Sequence, residues 1–363
     1  MKINKILIIG SFPPPISGVS LANKVITDGL KKRQKWKVDI INSEYSNNIV
    51  AEHGNINFHK LYFLKTYLYL YKILFSKIIY ISIGQSFFGV IKYAPFILLS
   101  KLMRKKLIFH LHGGHLLNEY NLLKGLKRKV FYFFISKMNY GIVLSKSLRE
   151  NFSEFTNPSK IFELPNFYES DLRMTDQEIL NLKDYSEIRI IFLSNLIEEK
   201  GINLLLEAIK KLYEKGIKIK IKVAGNIVSI NDLSNYFGKY GIEYVGVVDG
   251  KVKKDFLLWG NVFCLPTFYR MEGQPISIIE AMATGNLIIT TKHAGIQDIC
   301  NFDNALFCKK NDPTDLVSTI EYLSNNISEI KAKGLYNYSY AKDLFSEEKF
   351  IENANKILLQ CTN

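Results

Sequence analysis

Two glutamates frame the most chemically suggestive stretch of this chain, Glu272-Gly273-Gln274-Pro275-Ile276-Ser277-Ile278-Ile279-Glu280-Ala281-Met282-Ala283-Thr284-Gly285. It reads as a loop that turns into a helix. Gly273 suits the loop because it accepts backbone angles that side chains forbid. Pro275 suits the first helical position, where its missing N–H costs nothing. No breaker falls between Ile276 and Ala283, and Gly285 fits a stop. Glu272 then lies on the loop, and Glu280 lies about a turn and a half into the helix. Between them are the free N–H groups and the positive end of the helix, which attract phosphate. Acids on both sides of an anion site suit a ligand with hydroxyls on both sides of a phosphate, such as hexose, diphosphate and ribose in series. The bare spacing of two glutamates also fits an ordinary amphipathic helix with surface carboxylates. The surrounding residues favour the ligand reading.

A second constellation lies in Leu107-Ile108-Phe109-His110-Leu111-His112-Gly113-Gly114-His115, a strand running into a glycine turn. Strand alternation puts His110 and His112 on one side. His112 comes last before the glycines, at the edge where α/β folds bind ligands. His-x-His with a third histidine could hold zinc. No carboxylate or cysteine completes such a set nearby, so no metal is expected, and His110 reads as structural.

The stretch around Glu272 and Glu280 resembles the signature of retaining glycosyltransferases of family 4, which have the GT-B fold. Gly273, Pro275, Ala281, Met282 and Gly285 all fall where that family places them. The resemblance covers most of the chain and is strongest over residues 190–300. It implies an α/β architecture of two doubly wound Rossmann-like domains facing a cleft, with a C-terminal helix crossing back to the first domain. It implies that Glu272 contacts hydroxyls of the transferred sugar and that Glu280 holds the ribose, with the donor against Gly273, Gln274, Pro275 and Ile276. Lys200 matches the family's diphosphate-binding lysine. Asn195 stands where an arginine is usual, so one neutralising charge is missing and donor affinity leans on Lys200, the helix end or Arg270. Gly18 matches one glycine of the family's first loop, with Val19 where a second is common. His112 matches a His-Gly pair whose side chain or nearby backbone contacts the sugar. The loop carrying Val247 grips the nucleobase through backbone groups. Residues 161–167 resemble the stretch that closes the first domain. The resemblance implies no metal and no cofactor, the nucleotide-sugar being a co-substrate.

The rest of the chain must position these groups. At 363 residues it is long enough for two ordinary domains, and 47% hydrophobic with 23% charged residues describes a globular protein. The four cysteines form no CxxC pair, which suggests a reducing compartment and no disulfide framework. The first apolar run is too short for a signal peptide and reads as a buried strand over residues 5–10. Further strands are expected at 38–41, 77–82, 141–145, 188–194, 218–225 and 287–291, with a short strand and loop over 244–248. Helices are expected at 21–32, 58–77, 313–332 and 347–360. A near-transmembrane hydropathy over 78–100 is broken by Gln85, Lys92 and Pro95, and a strand–helix unit explains it better. The domains are expected at 1–168 and 169–345, with residues 346–363 as the returning helix.

Charge is divided unevenly. Residues 1–165 hold 25 Lys and Arg against 8 Asp and Glu, while residues 166–363 hold 23 against 26, so the net +14 lies wholly in the first half. The clusters Lys101, Arg104, Lys105, Lys106 and Lys124, Lys127, Arg128, Lys129 adjoin apolar and aromatic residues. Such neighbours suit an anionic bilayer surface, and no nucleic-acid motif accompanies them. The resemblance implies transfer of a sugar, from a UDP-sugar by preference because that is frequent in the family, and with the basic first half it implies a saccharide or lipid-linked acceptor of a bacterial surface polysaccharide such as capsule, O-antigen or lipopolysaccharide. The enzyme would be cytoplasmic and peripheral at the inner face of the membrane. Two other readings compete: a GT-B sugar-nucleotide epimerase, and a non-enzymatic basic module binding membrane or nucleic acid around an inert nucleotide pocket.

Overall fold

The chain was analysed as a computed structural model that describes residues 3–44, 63–217, 219–228 and 235–362. It divides into two units, Met1–Pro165 with Glu348–Asn363, and Asn166–Glu347. Lys60 and Lys218, which entered the sequence-based helix and strand, lie outside the described residues.

In the first unit six parallel strands form one sheet. They are β1 (Asn4–Gly10), β2 (Trp36–Asn42), β3 (Ile78–Ile83), β4 (Lys106–Leu111), β5 (Tyr140–Val143) and β6 (Ile161–Glu163), in the spatial order β2-β1-β3-β4-β5-β6. The central strands are apolar on both faces because helices cover both: Ile6 to Ile9 and Ile78 to Ile81 are fully buried. The helix after β1 spans Gly18–Lys31, earlier than expected, because Ser17 caps it reciprocally with Ser20. Gly18 is therefore its first residue rather than part of the loop.

The segment expected as one amphipathic helix up to residue 77 contains instead a 3-10 helix, Thr66–Ile73. The apolar run after β3 forms two helices, Phe87–Ile91 and Ala94–Leu102, with Pro95 in the first turn of the second. Among the described residues no helix is long and apolar enough to cross a membrane. The terminal helix, Glu347–Gln360, belongs almost entirely to this first unit. Trp36 Nε1 donates to Asn355 Oδ1 at 2.8 Å, and Ile351 fills the space left by Gly29.

The second unit also has six parallel strands: β7 (Arg189–Leu193), β8 (Lys220–Ala224), β9 (Ile242–Tyr244), β10 (Val262–Leu265), β11 (Leu287–Thr290) and β12 (Ala305–Phe307). Their order is β12-β11-β10-β7-β8-β9. The chain builds outward from β7 in one direction, then returns to β10 and builds outward in the other. This is the doubly wound dinucleotide-binding order, and ligands bind where the direction reverses, beyond the strands' C-terminal ends. Here that point lies between β7 and β10. The helix expected over 313–332 is two helices, Pro313–Asn325 and Ile327–Leu344, broken at Asn326.

Candidate active site

The loops after β7 and β10 leave the sheet side by side at the reversal point, and glycine lets them touch. Gly201 has φ +84°, and a Cβ there would stand 2.4 Å from the Pro266 carbonyl oxygen. Neither the backbone angle nor the space admits a larger residue. The Phe268 N–H donates to the Glu199 carbonyl at 2.8 Å, and the Thr267 hydroxyl donates to the same oxygen at 3.2 Å. Thus stapled, the loops bring Lys200 Nζ to 2.6 Å from Glu272 Oε2. Thr267 Oγ1 also donates to that oxygen, at 3.1 Å. Both ionic side chains are largely withdrawn from water, at 14% and 8% exposure. Lys200 further lies 5.0 Å from the centre of the Tyr269 ring.

Beyond Glu272 the chain enters the helix Ile276–Ala283. Pro275 is its N-cap, with extended ψ of 121°, and not the first helical residue as expected. No side chain caps this end, so its first N–H groups remain available to a ligand. The side chain of Gln274 is already committed: Oε1 accepts from the Asn166 N–H at 2.6 Å, and the Gln274 carbonyl accepts from Asn166 Nδ2 at 2.7 Å. Gly273, Gln274 and Pro275 are buried, whereas Ile276 is half-buried at the start of the helix. Gly285 ends the turn at φ +71°.

Glu280 is buried and faces a partner that the sequence did not reveal. Lys253, on the helix Gly250–Trp259, lies 2.7 Å from Glu280 Oε1 and also pairs with Glu169. Burial pushes the Glu280 carboxyl up from its usual range, and Lys253 offsets part of that rise. Burial pulls the Lys253 ammonium down, but the two carboxylates outweigh it and hold it above its usual range. Asn195, Arg270 and Val247 are exposed. Val247 lies beyond β9, which ends at Tyr244, in the loop of the short strand and loop expected over 244–248. Lys200 and Glu272 are thus brought together, Glu280 follows on the adjoining helix, and among the described residues no hydrogen bond or ion pair joins Asn195, Arg270 or Val247 to that pair.

In the first unit, β4 ends at Leu111, so His112 stands just past the strand's C-terminal end. Its ring lies against that of His110, tilted by 40° with centroids 3.9 Å apart. His110 Nδ1 is hydrogen-bonded to the Tyr80 hydroxyl, which gives that ring a structural bond. Both ring nitrogens of His112 are shielded from water and have no protein partner. Burial pulls His112 down to about 3, so the ring is neutral at ordinary pH. Gly113 leaves room for the Gln85 side chain, whose Oε1 accepts from the His115 N–H at 2.7 Å. Gly18 is exposed at the start of its helix. Among the described residues no group of three or more His, Cys, Asp or Glu could hold a metal ion.

Two predictions follow from these environments. An unfolded histidine titrates near 6.5, whereas folded His112 titrates near 3, so the unfolded state binds the extra proton and stability rises with pH between those values. His112→Asn should flatten that slope by about 1.4 kcal/mol per pH unit in urea titrations. Parallel profiles for the variant and the wild type would refute the burial argument. Lys253→Met strands a buried carboxylate and should cost about 3–5 kcal/mol at neutral pH. Because Glu280 then titrates still higher, the variant should regain stability on acidification, and Glu280→Gln in the same background should recover part of the loss. A neutral Lys253→Met would remove the ion triad from the account.

Known proteins sharpen the assignment. Residues 176–341 match the family described as glycosyl transferases group 1. The phosphatidylinositol N-acetylglucosaminyltransferase gpi3 subunit of Schizosaccharomyces pombe is 24% identical over 63% of this chain and 50% of its own length. The amylovoran biosynthesis glycosyltransferase AmsK of Erwinia amylovora is 26% identical over 33% of this chain and 32% of its own. The matches thus span half or less of these two relatives. An uncharacterized glycosyltransferase of Methanocaldococcus jannaschii is 26% identical over 98% of both chains. Among solved structures, sucrose-phosphate synthase of Thermosynechococcus elongatus superposes with a TM-score of 0.75 at 14% identity, covering 98% of each chain. Anabaena HepE, in complex with UDP and glucose, gives 0.71 at 13% identity, covering 98% of this chain and 99% of its own. Residues 176–341 thus carry a glycosyl transferases group 1 domain, within a chain whose two parallel-sheet units have GT-B structural neighbours.

Proposed function

We propose that the chain transfers a sugar from a nucleoside-diphosphate sugar to an acceptor hydroxyl, keeping the anomeric configuration. The observation that carries this reading is the Lys200–Glu272 pair at the reversal point of the second sheet, beside the uncapped helix that bears Glu280. A carboxylate and an ammonium at one point can serve opposite ends of one ligand. On donor binding Lys200 turns from Glu272 to the diphosphate, joined there by the helix N–H groups. Glu272, released, accepts hydrogen bonds from hydroxyls of the sugar. Glu280 accepts from the ribose diol, held in place by Lys253. The positive field at the leaving diphosphate comes from Lys200 and the helix end, so the proposed reaction calls on no metal ion. His112, neutral and with both nitrogens unpartnered, can donate to or accept from a sugar hydroxyl.

The donor base favoured is uridine, in keeping with UDP in the HepE complex. The favoured acceptor is a saccharide or lipid-linked intermediate of a bacterial surface polysaccharide. The AmsK relative and the basic first half of the chain support that choice. The same charge supports peripheral contact with an anionic membrane from the cytoplasmic side.

Removing one preorganised electrostatic donor costs about 2.7–4 kcal/mol of transition-state stabilisation. Lys200→Ala should therefore lower kcat by about a hundredfold to a thousandfold. Glu272→Ala should abolish transfer while circular dichroism and thermal melting report an intact fold. A correctly folded Glu272→Ala with full activity on the donor that most raises the wild type's melting temperature would defeat this assignment.

A further inference from the structure

The first unit carries a basic cavity at the opposite edge of its sheet from His112. It holds about 440 Å³ and is lined by Lys5, Lys77, Arg104, Lys105 and Lys106, together with Ile3, Leu74, Phe75 and Met103. Lys5 lies near the start of β1, Lys77 immediately precedes β3, and Lys106 opens β4, so five cations converge on the strands' N-terminal ends. Arg104 is held at φ +51°, a left-handed conformation that costs a residue with a side chain free energy. Lys105 Nζ donates to the Leu74 carbonyl at 2.9 Å, and Lys77 Nζ donates to the Thr362 carbonyl at 3.1 Å. Among the described residues none of the five forms an ion pair with a carboxylate. The sequence leaves few candidates, since residues 53–118 contain nine Lys and Arg and no Asp or Glu.

Five like charges around one cavity repel one another, and that repulsion is relieved only by an anion. The apolar residues at its rim say which kind. Phe75 is 65% exposed and neighbouring Leu102 is 78% exposed, with Ile3, Leu74 and Met103 also open to solvent. A soluble phosphate gains nothing from them. At a bilayer, anionic headgroups meet the cations while the apolar side chains enter the boundary of the acyl region.

We propose that this cavity and its apolar rim form the surface by which the protein rests on an anionic phospholipid bilayer. The inference deepens the proposed membrane contact and does not depend on the donor chemistry. It assigns that contact to residues other than the basic cluster at the start of the helix Gly125–Ile135.

The test is co-sedimentation of the full chain with vesicles of phosphatidylcholine alone or an equal mixture of phosphatidylcholine and phosphatidylglycerol. The wild type should bind the mixture and not the neutral vesicles. Lys5→Glu with Arg104→Glu should weaken binding by at least about tenfold, whereas the matched pair Lys127→Glu with Lys129→Glu should weaken it less than about threefold. Thermal melting confirms that each variant is folded. Equal or greater loss in the matched pair, or no preference of the wild type for anionic vesicles, would overturn the proposal. So would release from the vesicles by inorganic phosphate at constant ionic strength, which would identify a free-anion site. A sugar-nucleotide thermal shift in the same samples should be unchanged in both variants. Its absence from the wild type would count against the transferase reading and leave this surface standing.

Discussion

A lysine and a glutamate 72 residues apart meet at 2.6 Å, and much of the second unit serves to hold them there. The strand order creates the reversal between β7 and β10. Gly201 lets one loop approach the other, and hydrogen bonds from Phe268 and Thr267 fix the approach. Such a pair gives little net stability, because withdrawing two charges from water costs about as much as their attraction returns. Its value lies in exchange. In the proposed reaction, a ligand carrying both phosphate and hydroxyls satisfies each partner separately.

The same logic extends to Glu280. A buried carboxylate alone would protonate, and a protonated acid accepts diol hydrogen bonds poorly. Lys253 offsets part of the rise that burial imposes on Glu280, and Glu169 shares the cation. The triad therefore acts as a positioning device on the helix that follows the loop. The two units also differ in electrostatic character: the first holds the net positive charge and the second is slightly acidic overall. In the proposed reaction, the acidic side chains of the second unit engage sugar and ribose hydroxyls. In the proposed membrane contact, cations of the first unit face anionic headgroups.

The elements written in local pattern were legible in the sequence. The apolar run from Lys5 to Gly10 lies within β1, and the terminal helix Glu347–Gln360 matches its expected bounds. The loop-to-helix turn at Glu272 was also legible, because glycine, proline and a following apolar run are all local signals. What could not be read were features settled by distant partners. Lys253 is one lysine among several in its helix, and its partners lie 84 and 27 residues away. Gln274 is expected to contact the donor, and no local signal announced that its Oε1 would accept from the Asn166 N–H across 108 residues. Pro275 fell one position earlier than its propensity suggested, closing the loop rather than opening the helix. The break at Asn326 split a periodic run whose apolar pattern gave no hint of it.

The central claim is that the Lys200 ammonium is shared between Glu272 and a diphosphate. Calorimetric titration of uridine diphosphate into the wild type, Lys200→Ala and Glu272→Ala tests it most directly. The account predicts that Lys200→Ala weakens binding by about tenfold or more, while Glu272→Ala binds as tightly as the wild type or more tightly, because its lysine is freed. Equal affinity in the wild type and Lys200→Ala, or loss of binding in Glu272→Ala alone, would contradict it.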